Sequence, residues 1–341
     1  MKVLVTGGCG FLGSHVCEYF AAKGDEVVSF DNMTKYELKR TGFATEKVRD
    51  FNRDFLRSID IDTVIADVRD AESLMAHAKG CDYIVHTAAQ PAMTISWEEP
   101  ELDMTTNVVG TFNVLEIARK LEIPVAVCSS IHVYGNEINA SLQEGEDRYI
   151  RNPAEINENY PLLEGKLSPL HVSKASAELY VKTYIDTYNI EAAVFRLTGI
   201  YGPRQFGGED HGWVANFSIR NFLDRPITFF GTGKQVRDII YATDVCEAFD
   251  AFYQTRKSGV YNIGGGSKTA ISLLQCVDIL RKITGKKPEV KFDADRFGDL
   301  RYFICDTSKA QENLGWSAKT MPETGIRELV DWLDEVKDLL K

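Results

Sequence analysis

Short apolar runs and amphipathic segments alternate through about the first 200 residues. The runs are rich in β-branched residues, and the apolar positions between them repeat at helical spacing. Because the runs are apolar on both faces, they predict a parallel sheet covered by helices on both sides. Right-handed crossovers then give a doubly wound α/β fold. The predicted strands are 3–6, 26–30, 63–66, 83–87, 125–128 and 192–195, and the predicted helices are 14–23, 71–78, 103–121 and 173–188.

The pattern changes after about residue 196. Glycine and aromatic residues become dense between 199 and 212, and the later elements are shorter, with predicted helices at 215–223, 272–284 and 323–337. We therefore predict two units. Residues 1–196 form a nucleotide-binding domain to which segments near 236–265 return, and residues 197–341 form a smaller mixed lobe that binds substrate.

Composition narrows the functional class. The 341 residues are 44% hydrophobic and 26% charged, which is typical of a globular protein, and the net charge is −11. An acidic chain argues against a protein that coats nucleic acid or an anionic membrane. It leaves an anionic small ligand open, because a local pocket can be basic on an acidic surface.

The cysteine and histidine patterns argue against disulfides and metal. The seven cysteines are scattered without any CxxC pair, which favours reduced thiols in the cytoplasm. The six histidines show no ligand spacing with Cys or Asp, so no metal site is expected. We also expect no signal peptide and no membrane span, since the N-terminal apolar run is short and no run approaches about 20 residues.

A glycine-rich turn joins the first predicted strand to the first predicted helix. Gly7 permits the tight turn, Gly10 admits a pyrophosphate to the backbone, and Gly13 lets helix and sheet approach. The free N–H groups at the start of that helix favour phosphate. Phe11 and Leu12, in the same turn, are further candidates for cofactor binding. The turn, in this setting, predicts a dinucleotide site in a Rossmann-like domain.

An acidic residue closes the second predicted strand. Asp31 stands where a carboxylate binds the adenosine ribose and repels a 2′-phosphate, so NAD is favoured over NADP. Lys35 and Arg40 nearby keep NADP open as an alternative. Asp67 follows the third strand and is a candidate for the adenine edge, with a plain loop aspartate as the alternative.

Longer motifs resemble a known family. The chain is similar to extended short-chain dehydrogenase/reductases that act on nucleotide-diphosphate sugars, and most similar to its CDP-paratose (CDP-tyvelose) 2-epimerase branch. The resemblance implies a retained NAD, transient oxidation of a sugar carbinol and return of hydride to the other face. The segments that carry it include 6–13, 86–89, 90–96, 107–111, 129–135, 173–174, 201–214, 233–238, 262–265 and 298–301.

The resemblance also implies site residues. Ser130 orients the reacting hydroxyl, and Lys174 holds the nicotinamide ribose. Arginines in turn-rich segments suit a diphosphate, and Trp213 suits a base, with solvated or core positions as the alternatives. The further cofactor residues are Asn32, Val68, Ala88 and Asn107, and the substrate residues are Gln90, Thr94, Arg204, Gln205, Trp213, Arg237 and Arg301.

One position departs from the family. The family carries Tyr-x-x-x-Lys, with the tyrosine exchanging the carbinol proton, but here Leu170 precedes Lys174 in that register. Leucine has no proton to exchange. His132 lies two residues after Ser130, where related dehydratases and decarboxylases carry a glutamate, and its ordinary pKa suits proton transfer. His171 is expected to point elsewhere, because one helical step turns a side chain by about 100°.

Three interpretations of the missing tyrosine follow. His132 supplies the base in an epimerase; or the reaction differs, as dehydration, decarboxylation or reduction; or the protein binds NAD and a sugar nucleotide with impaired catalysis. We favour a cytoplasmic NAD-dependent epimerase of a nucleotide-diphosphate sugar. The resemblance further implies a homodimer formed through the helices at 103–121 and 173–188, whose apolar faces alternatively pack on the sheet.

Overall fold

A computed structural model describes residues 1–34, 45–209 and 211–340. Fifteen strands occur in this part of the chain. They are β1 (Lys2–Thr6), β2 (Glu26–Asp31), β3 (Thr63–Ile65), β4 (Tyr83–His86), β5 (Val125–Ser130), β6 (Gln143–Glu144), β7 (Tyr149–Ile150), β8 (Ala192–Leu197), β9 (Gly199–Tyr201), β10 (Ile227–Phe230), β11 (Val236–Tyr241), β12 (Gly259–Ile263), β13 (Ala270–Ser272), β14 (Val290–Asp293) and β15 (Tyr302–Phe303).

Thirteen α-helices occur in the same described residues. They are α1 (Phe11–Ala22), α2 (Thr45–Ser58), α3 (Ala71–Ala78), α4 (Met93–Glu98), α5 (Pro100–Met104), α6 (Gly110–Leu121), α7 (Pro169–Tyr188), α8 (Trp213–Phe222), α9 (Ala242–Thr255), α10 (Leu273–Thr284), α11 (Ser308–Leu314), α12 (Pro322–Glu335) and α13 (Lys337–Leu340).

Seven strands form the main sheet, in the order β12-β8-β5-β4-β1-β2-β3, and every neighbouring pair is parallel. Alternate residues of one strand face opposite layers. Val3 and Val5 of β1 belong to one buried cluster and Leu4 to another, as expected of a sheet covered on both faces. The predicted doubly wound α/β fold is confirmed.

The six predicted strands of the main sheet are all present, and helix ends differ by a few residues. Helices α1 and α7 begin at Phe11 and Pro169, ahead of the predicted starts at 14 and 173. The helix predicted at 103–121 is interrupted: α5 and α6 are joined by a π-helical turn at Thr105–Val109. Turns of this kind are frequent at functional sites, and this one contains Asn107.

The second lobe is built on a smaller mixed sheet. Strand β11 pairs parallel with β9 and β15 and antiparallel with β13, while β10 and β14 form a separate parallel pair. Helices α8, α10 and α12 cover a second buried core of the lobe. Strand β12 returns to the edge of the main sheet beside β8. The division into 1–196 and 197–341 stays a prediction, and this return is consistent with its segment at 236–265.

Candidate active site

One cavity of about 500 Å³ runs along the carboxyl ends of β1, β2, β4 and β5 and continues between the main sheet and the second lobe. In open parallel sheets this edge is where ligands bind, because strand order reverses there. The residues that line this cavity therefore determine what the protein can bind.

The glycine turn forms one end of the cavity. Gly7, Gly10 and Gly13 line it together with Phe11 and Leu12. A Cβ at position 13 would stand 1.9 Å from the Gly7 oxygen, so no other residue fits without moving the backbone. Gly10 is the N-cap of α1 and supplies no side-chain cap, so the first N–H groups of this helix stay available to an anion.

Asp31 lies next to this turn at the end of β2. It is buried and lines the cavity, with Oδ2 accepting from the Cys9 N–H at 3.0 Å and Oδ1 from the Met33 N–H at 2.7 Å. These two bonds fix the carboxylate beside the turn. Asn32, Val68 and Ala88 also line the cavity.

The predicted adenine contact at Asp67 is not on the cavity wall. Its carboxylate pairs with Arg69 at 2.7 Å and accepts from Asn32 Nδ2 at 2.9 Å. The hydrogen bonds from Arg69 lower the pKa of Asp67 to about 2. Lys35 and Arg40, the residues that kept NADP open, lie outside the described residues.

The opposite end of the dinucleotide groove holds Ser130, Leu170 and Lys174. Ser130 ends β5, and Lys174 lies one helical turn beyond Leu170 on α7. The Lys174 ammonium donates to the Cys128 carbonyl at 3.2 Å. Burial lowers the pKa of Lys174, with Cys128, Asp103 and Glu178 opposing that change. Leu170 is 2% exposed, and its side chain contributes no proton donor or acceptor.

His132 faces the same end of the cavity. Ser130 Oγ accepts from the His132 N–H at 3.2 Å, which places His132 one short 3-10 turn beyond the strand. Burial lowers the pKa of His132 to about 3, and nearby His171 and Arg237 act in the same direction. The imidazole is therefore neutral at neutral pH and can accept a proton, but it is a weaker base than its ordinary pKa led us to expect.

Gln90 and Asn107 have different roles at the centre of the cavity. Gln90 lines the cavity, whereas Asn107 lies behind it. Asn107 exchanges two hydrogen bonds with the Gln90 backbone, at 2.9 and 3.1 Å, and donates to Ser173 Oγ at 3.1 Å. Asn107 thus supports the wall rather than contacting a cofactor. Asp103 accepts from Gln90 Nε2 at 2.9 Å, which fixes the amide of Gln90.

The second lobe supplies cations and aromatic rings. The predicted Gln205, Trp213 and Arg237 line the cavity. Arg237 pairs with Asp299 at 3.5 Å. The sequence analysis missed Arg296, whose guanidinium stacks on Phe230 with its carbon 3.8 Å from the ring centroid.

Asp299 and Arg296 were overlooked because the motif at 298–301 was assigned to its arginine. Arg301 itself is not on the wall, since its guanidinium pairs with Asp295. Its N–H donates to Asn139 Oδ1 at 2.8 Å. The motif therefore lies in a loop that reaches the cavity through Asp299, and the substrate role of Arg301 stays a prediction.

Arg204 also lies off the cavity wall, and its substrate role stays a prediction. Its guanidinium lies on α1, where it donates to Ser14 Oγ at 3.1 Å and to Glu18 at 2.5 Å. It also stacks over Phe55 at 4.1 Å. These contacts join the second lobe to the first helix and leave the guanidinium off the cavity wall. Thr94 is likewise off the wall, on α4 with its hydroxyl buried.

Two further features concern the described residues as a whole. No group of three or more His, Cys, Asp or Glu side chains within 1–34, 45–209 and 211–340 is placed to hold a metal ion. Over these same ranges, no helix has the length and apolar character needed to cross a membrane.

Comparisons with known proteins agree with this geometry. The profile of the NAD dependent epimerase/dehydratase family matches residues 3–264. The CDP-paratose 2-epimerase of Salmonella typhi is 32% identical over 98% of this chain and 100% of its own length.

Two solved structures show the same fold along almost their whole length. The UDP-glucose 4-epimerase of Thermotoga maritima with UDP-glucose has a TM-score of 0.81 at 28% identity, covering 99% of this chain and 100% of its own. The UDP-glucuronic acid 4-epimerase of Bacillus cereus with UDP-glucuronic acid and NAD has a TM-score of 0.82 at 27% identity, covering 98% and 100%.

Proposed function

The chain belongs to the NAD dependent epimerase/dehydratase family, with NAD as its cofactor, and from this premise we propose that it epimerises a nucleotide-diphosphate sugar. One observation carries the proposal. A single cavity connects the glycine turn and Asp31 to Ser130 and Lys174, and continues to cationic and aromatic residues of the second lobe. A dinucleotide and a second, anionic ligand thus fit end to end.

The residues present fit the cofactor. A Cβ at Gly7 would stand 2.7 Å from the Ala88 nitrogen and one at Gly13 would stand 1.9 Å from the Gly7 oxygen, so the backbone of the turn is open to a close ligand. Asp31 lies where the adenosine ribose is bound in such folds. Lys174, buried at the other end, would hold the nicotinamide ribose. When bound, NAD supplies a hydride acceptor and donor to the sugar carbon.

The residues around Leu170 orient and deprotonate the reacting hydroxyl of the sugar. Ser130 orients it, and His132, neutral and facing the cavity, takes its proton and returns it. Lys174 adds positive charge at the same end. Because Leu170 offers no hydroxyl, His132 is the titratable side chain that we assign to this exchange.

The second lobe binds the diphosphate of the substrate. Arg237 and Arg296 line the cavity, and the half-buried Arg237 guanidinium can make charge-assisted hydrogen bonds to a diphosphate there. Trp213 and Phe230 offer flat apolar faces to a base. The likeness to a CDP-paratose 2-epimerase favours a CDP-sugar and inversion at C2.

A second candidate is a dehydratase, decarboxylase or reductase on the same class of sugar. It is favoured by Leu170, which departs from the tyrosine of the family, and by curated relatives that include a dTDP-glucose 4,6-dehydratase at 28% identity. The third possibility is a protein that binds NAD and a nucleotide sugar but has impaired catalysis. The experiment that follows distinguishes it from the other two.

The test is incubation of the purified protein with CDP-, UDP- and dTDP-linked hexoses and deoxyhexoses, followed by ¹H NMR in deuterated water. The proposal expects a redox-neutral epimer from a CDP-sugar, no net consumption of cofactor, and loss of turnover in Lys174→Met. A keto-deoxysugar with ring-bound deuterium would favour dehydration. Binding without turnover of any sugar would reject catalysis.

We further propose that the protein is a cytoplasmic homodimer. Six of the seven cysteines are buried, which is consistent with reduced thiols in a reducing compartment. The outer face of α6 and α7 exposes Phe112, Val172, Leu179 and Tyr180. Such a contiguous apolar face suits a second copy of the chain.

A further inference from the structure

Two histidines meet beside Leu170. His132 lies in the 3-10 turn after β5, and His171 lies in the first turn of α7. Their ring centroids are 5.4 Å apart and the rings are nearly perpendicular, at 77°. The sequence analysis expected His171 to point away from this region, so the contact between the two rings is unexpected.

The proton of His171 is fixed by the start of its helix. Its Nδ1 accepts from the Ser168 N–H at 3.0 Å and lies 2.7 Å from Ser168 Oγ. A backbone N–H is always a donor, so Nδ1 of the neutral ring carries no proton and Nε2 does. His171 is 0% exposed and its Nε2 has no hydrogen-bond partner among the described residues. His171 therefore cannot accept a second proton without losing the cap.

The two ring nitrogens of His132 have different surroundings. It lines the cavity, while its Nδ1 is buried without a partner among the residues that the structure describes. Nε2 is therefore the nitrogen left for a ligand in the cavity. The ring of His171 lies in edge contact with the ring of His132.

Positive charge faces His132 from one other element, β11. Arg237 on β11 lies close enough to disfavour a cationic His132, and Asp299 offsets part of that effect by pairing with Arg237. Burial also lowers the pKa of His171, to about 4. Two imidazoles in contact cannot both be cations at this cost, so the pair carries at most one positive charge.

We propose that His171 is a positioning residue for His132: its ring covers the inner nitrogen of His132 and leaves Nε2 as the one nitrogen of the pair that exchanges a proton with the substrate hydroxyl. This inference rests on the proposed function for the identity of that hydroxyl. When the carbinol is oxidised, its O–H proton passes to Nε2 of His132, and its C–H hydride would pass to the nicotinamide of the NAD that the proposed function requires. The reverse occurs when the carbonyl is reduced, so the pair ends the cycle unchanged.

The substitution His171→Gln separates positioning from capping. Glutamine is an ordinary partner at this position of a capping box, and the chain already uses Ser272 with Gln275 in this way at the start of α10. The variant therefore keeps the N-terminus of α7 but removes the ring. His77→Gln on α3, away from the cavity, is the matched control.

The readout is the ¹⁵N and ¹³C NMR signal of His132 in histidine-labelled, NAD-loaded protein between pH 5 and 8, assigned with His132→Gln. In the wild type and in the control we expect one tautomer and no ionisation of His132 in this range. In His171→Gln we expect a mixture of His132 tautomers and an ionisation of His132 that begins at the acid end of this range.

An unchanged His132 signal in His171→Gln, with the melting temperature preserved, would overturn the inference. A shifted signal together with no turnover of any nucleotide sugar would support the histidine pair and reject the proposed function. With a substrate found, the acid limb of the kcat profile should move to higher pH in His171→Gln while KM changes less than about twofold. A purely structural cap predicts no such movement.

Discussion

Among single residues, Leu170 decides how the chemistry is done. It lines the cavity one helical turn before Lys174, where a phenol would face Ser130. We predict that His132→Ala lowers kcat by about 100-fold, the usual contribution of a general acid/base. Adding Leu170→Tyr should then raise kcat again by about tenfold, because a phenol beside the Lys174 ammonium exchanges the proton instead.

The matched control for this rescue is Leu170→Phe in the same His132→Ala background. Phenylalanine supplies the ring without the hydroxyl, so it should leave kcat at the level of His132→Ala. Steady-state kinetics on the epimerised sugar measures all four proteins. Equal rates for the tyrosine and phenylalanine variants would show that proton exchange does not occur at this position.

The glycine turn allows a prediction that separates folding from cofactor binding. A Cβ at Gly13 would meet the Gly7 oxygen at 1.9 Å, whereas a Cβ at Gly10 meets it at 3.0 Å with an ordinary backbone angle of φ −67°. Gly13→Ala should therefore lose about 1–3 kcal/mol of stability through overpacking. Gly10→Ala should keep its melting temperature within a few degrees and lose bound NAD.

Urea unfolding and chromatographic measurement of NAD released from the purified protein distinguish the two variants. Retention of NAD at the wild-type level in Gly10→Ala would show that the cofactor does not approach this stretch of backbone. An undiminished stability of Gly13→Ala would mean that the turn relaxes more easily than its contacts indicate.

Residue roles could be predicted from the sequence where backbone geometry imposes them. The glycine turn and Asp31 belong to this class, because spacing along a strand, turn and helix fixes where they lie. Arg204 and Arg301 belong to the other class. A guanidinium pairs with whichever carboxylate the fold brings near, and here these are Glu18 and Asp295. The sequence does not show which carboxylates the fold will place beside an arginine.

At the scale of elements, a buried ion pair holds α7 against the sheet. Glu178 and Arg196 each have side chains 5% exposed and pair at 2.8 Å, with Ser129 Oγ donating to Glu178 at 2.5 Å. Removing one partner leaves the other charge buried and alone. We predict that Glu178→Leu loses about 3–5 kcal/mol in urea unfolding.

The double variant Glu178→Leu/Arg196→Leu tests the physical reason for that loss. Because neither charge then remains in the interior, it should be more stable than Glu178→Leu by at least about 1 kcal/mol. If the double variant is instead the least stable protein, the loss comes from packing around α7 and not from an unpaired charge.

The elements themselves were predictable to the extent that their periodicity is regular. Strands β1, β4 and β5 follow from their apolar runs. The π-helical turn at Thr105–Val109 was missed because a single wider turn leaves a regular helical pattern on either side of it. The turn brings the Asn107 amide to Gln90 and Ser173, a contact between distant segments that periodicity does not encode.

For the whole molecule, the exposed face of α6 and α7 predicts the assembly state. Leu179 is 59% exposed in the centre of a face that also carries Phe112 and Tyr180, whose rings contact at 5.9 Å. We predict a dimer by light scattering after gel filtration. Leu179→Glu should give a monomer, because a carboxylate at an apolar interface loses its solvation.

Met321→Glu is the control for that experiment, since Met321 is 46% exposed at the start of α12 and outside the proposed interface. It should remain dimeric. A monomeric wild type, or dissociation by both substitutions, would exclude this face as the interface.

The stability of the whole molecule should fall in mild acid because several histidines are buried in the neutral form. Burial lowers the pKa of His15 and His86 to about 3 and that of His171 to about 4, below the unfolded value near 6.5. The unfolded chain then binds more protons below pH 6.5, so each histidine withdraws about 2 kcal/mol of stability by pH 5. Asp238 acts oppositely, since burial raises its pKa to about 7 and its contribution to stability grows as pH falls below 7.

These opposite signs make the prediction specific. His86 bridges Thr6 and Thr111 at 2.7 and 3.1 Å, so His86→Gln lowers stability at every pH, but its further loss between pH 7.5 and 5 should be about 2 kcal/mol smaller than in the wild type. In Asp238→Asn that loss should be larger than in the wild type. Urea unfolding at the two pH values measures both differences. Parallel stability–pH curves for the three proteins would show that neither buried group couples folding to protons.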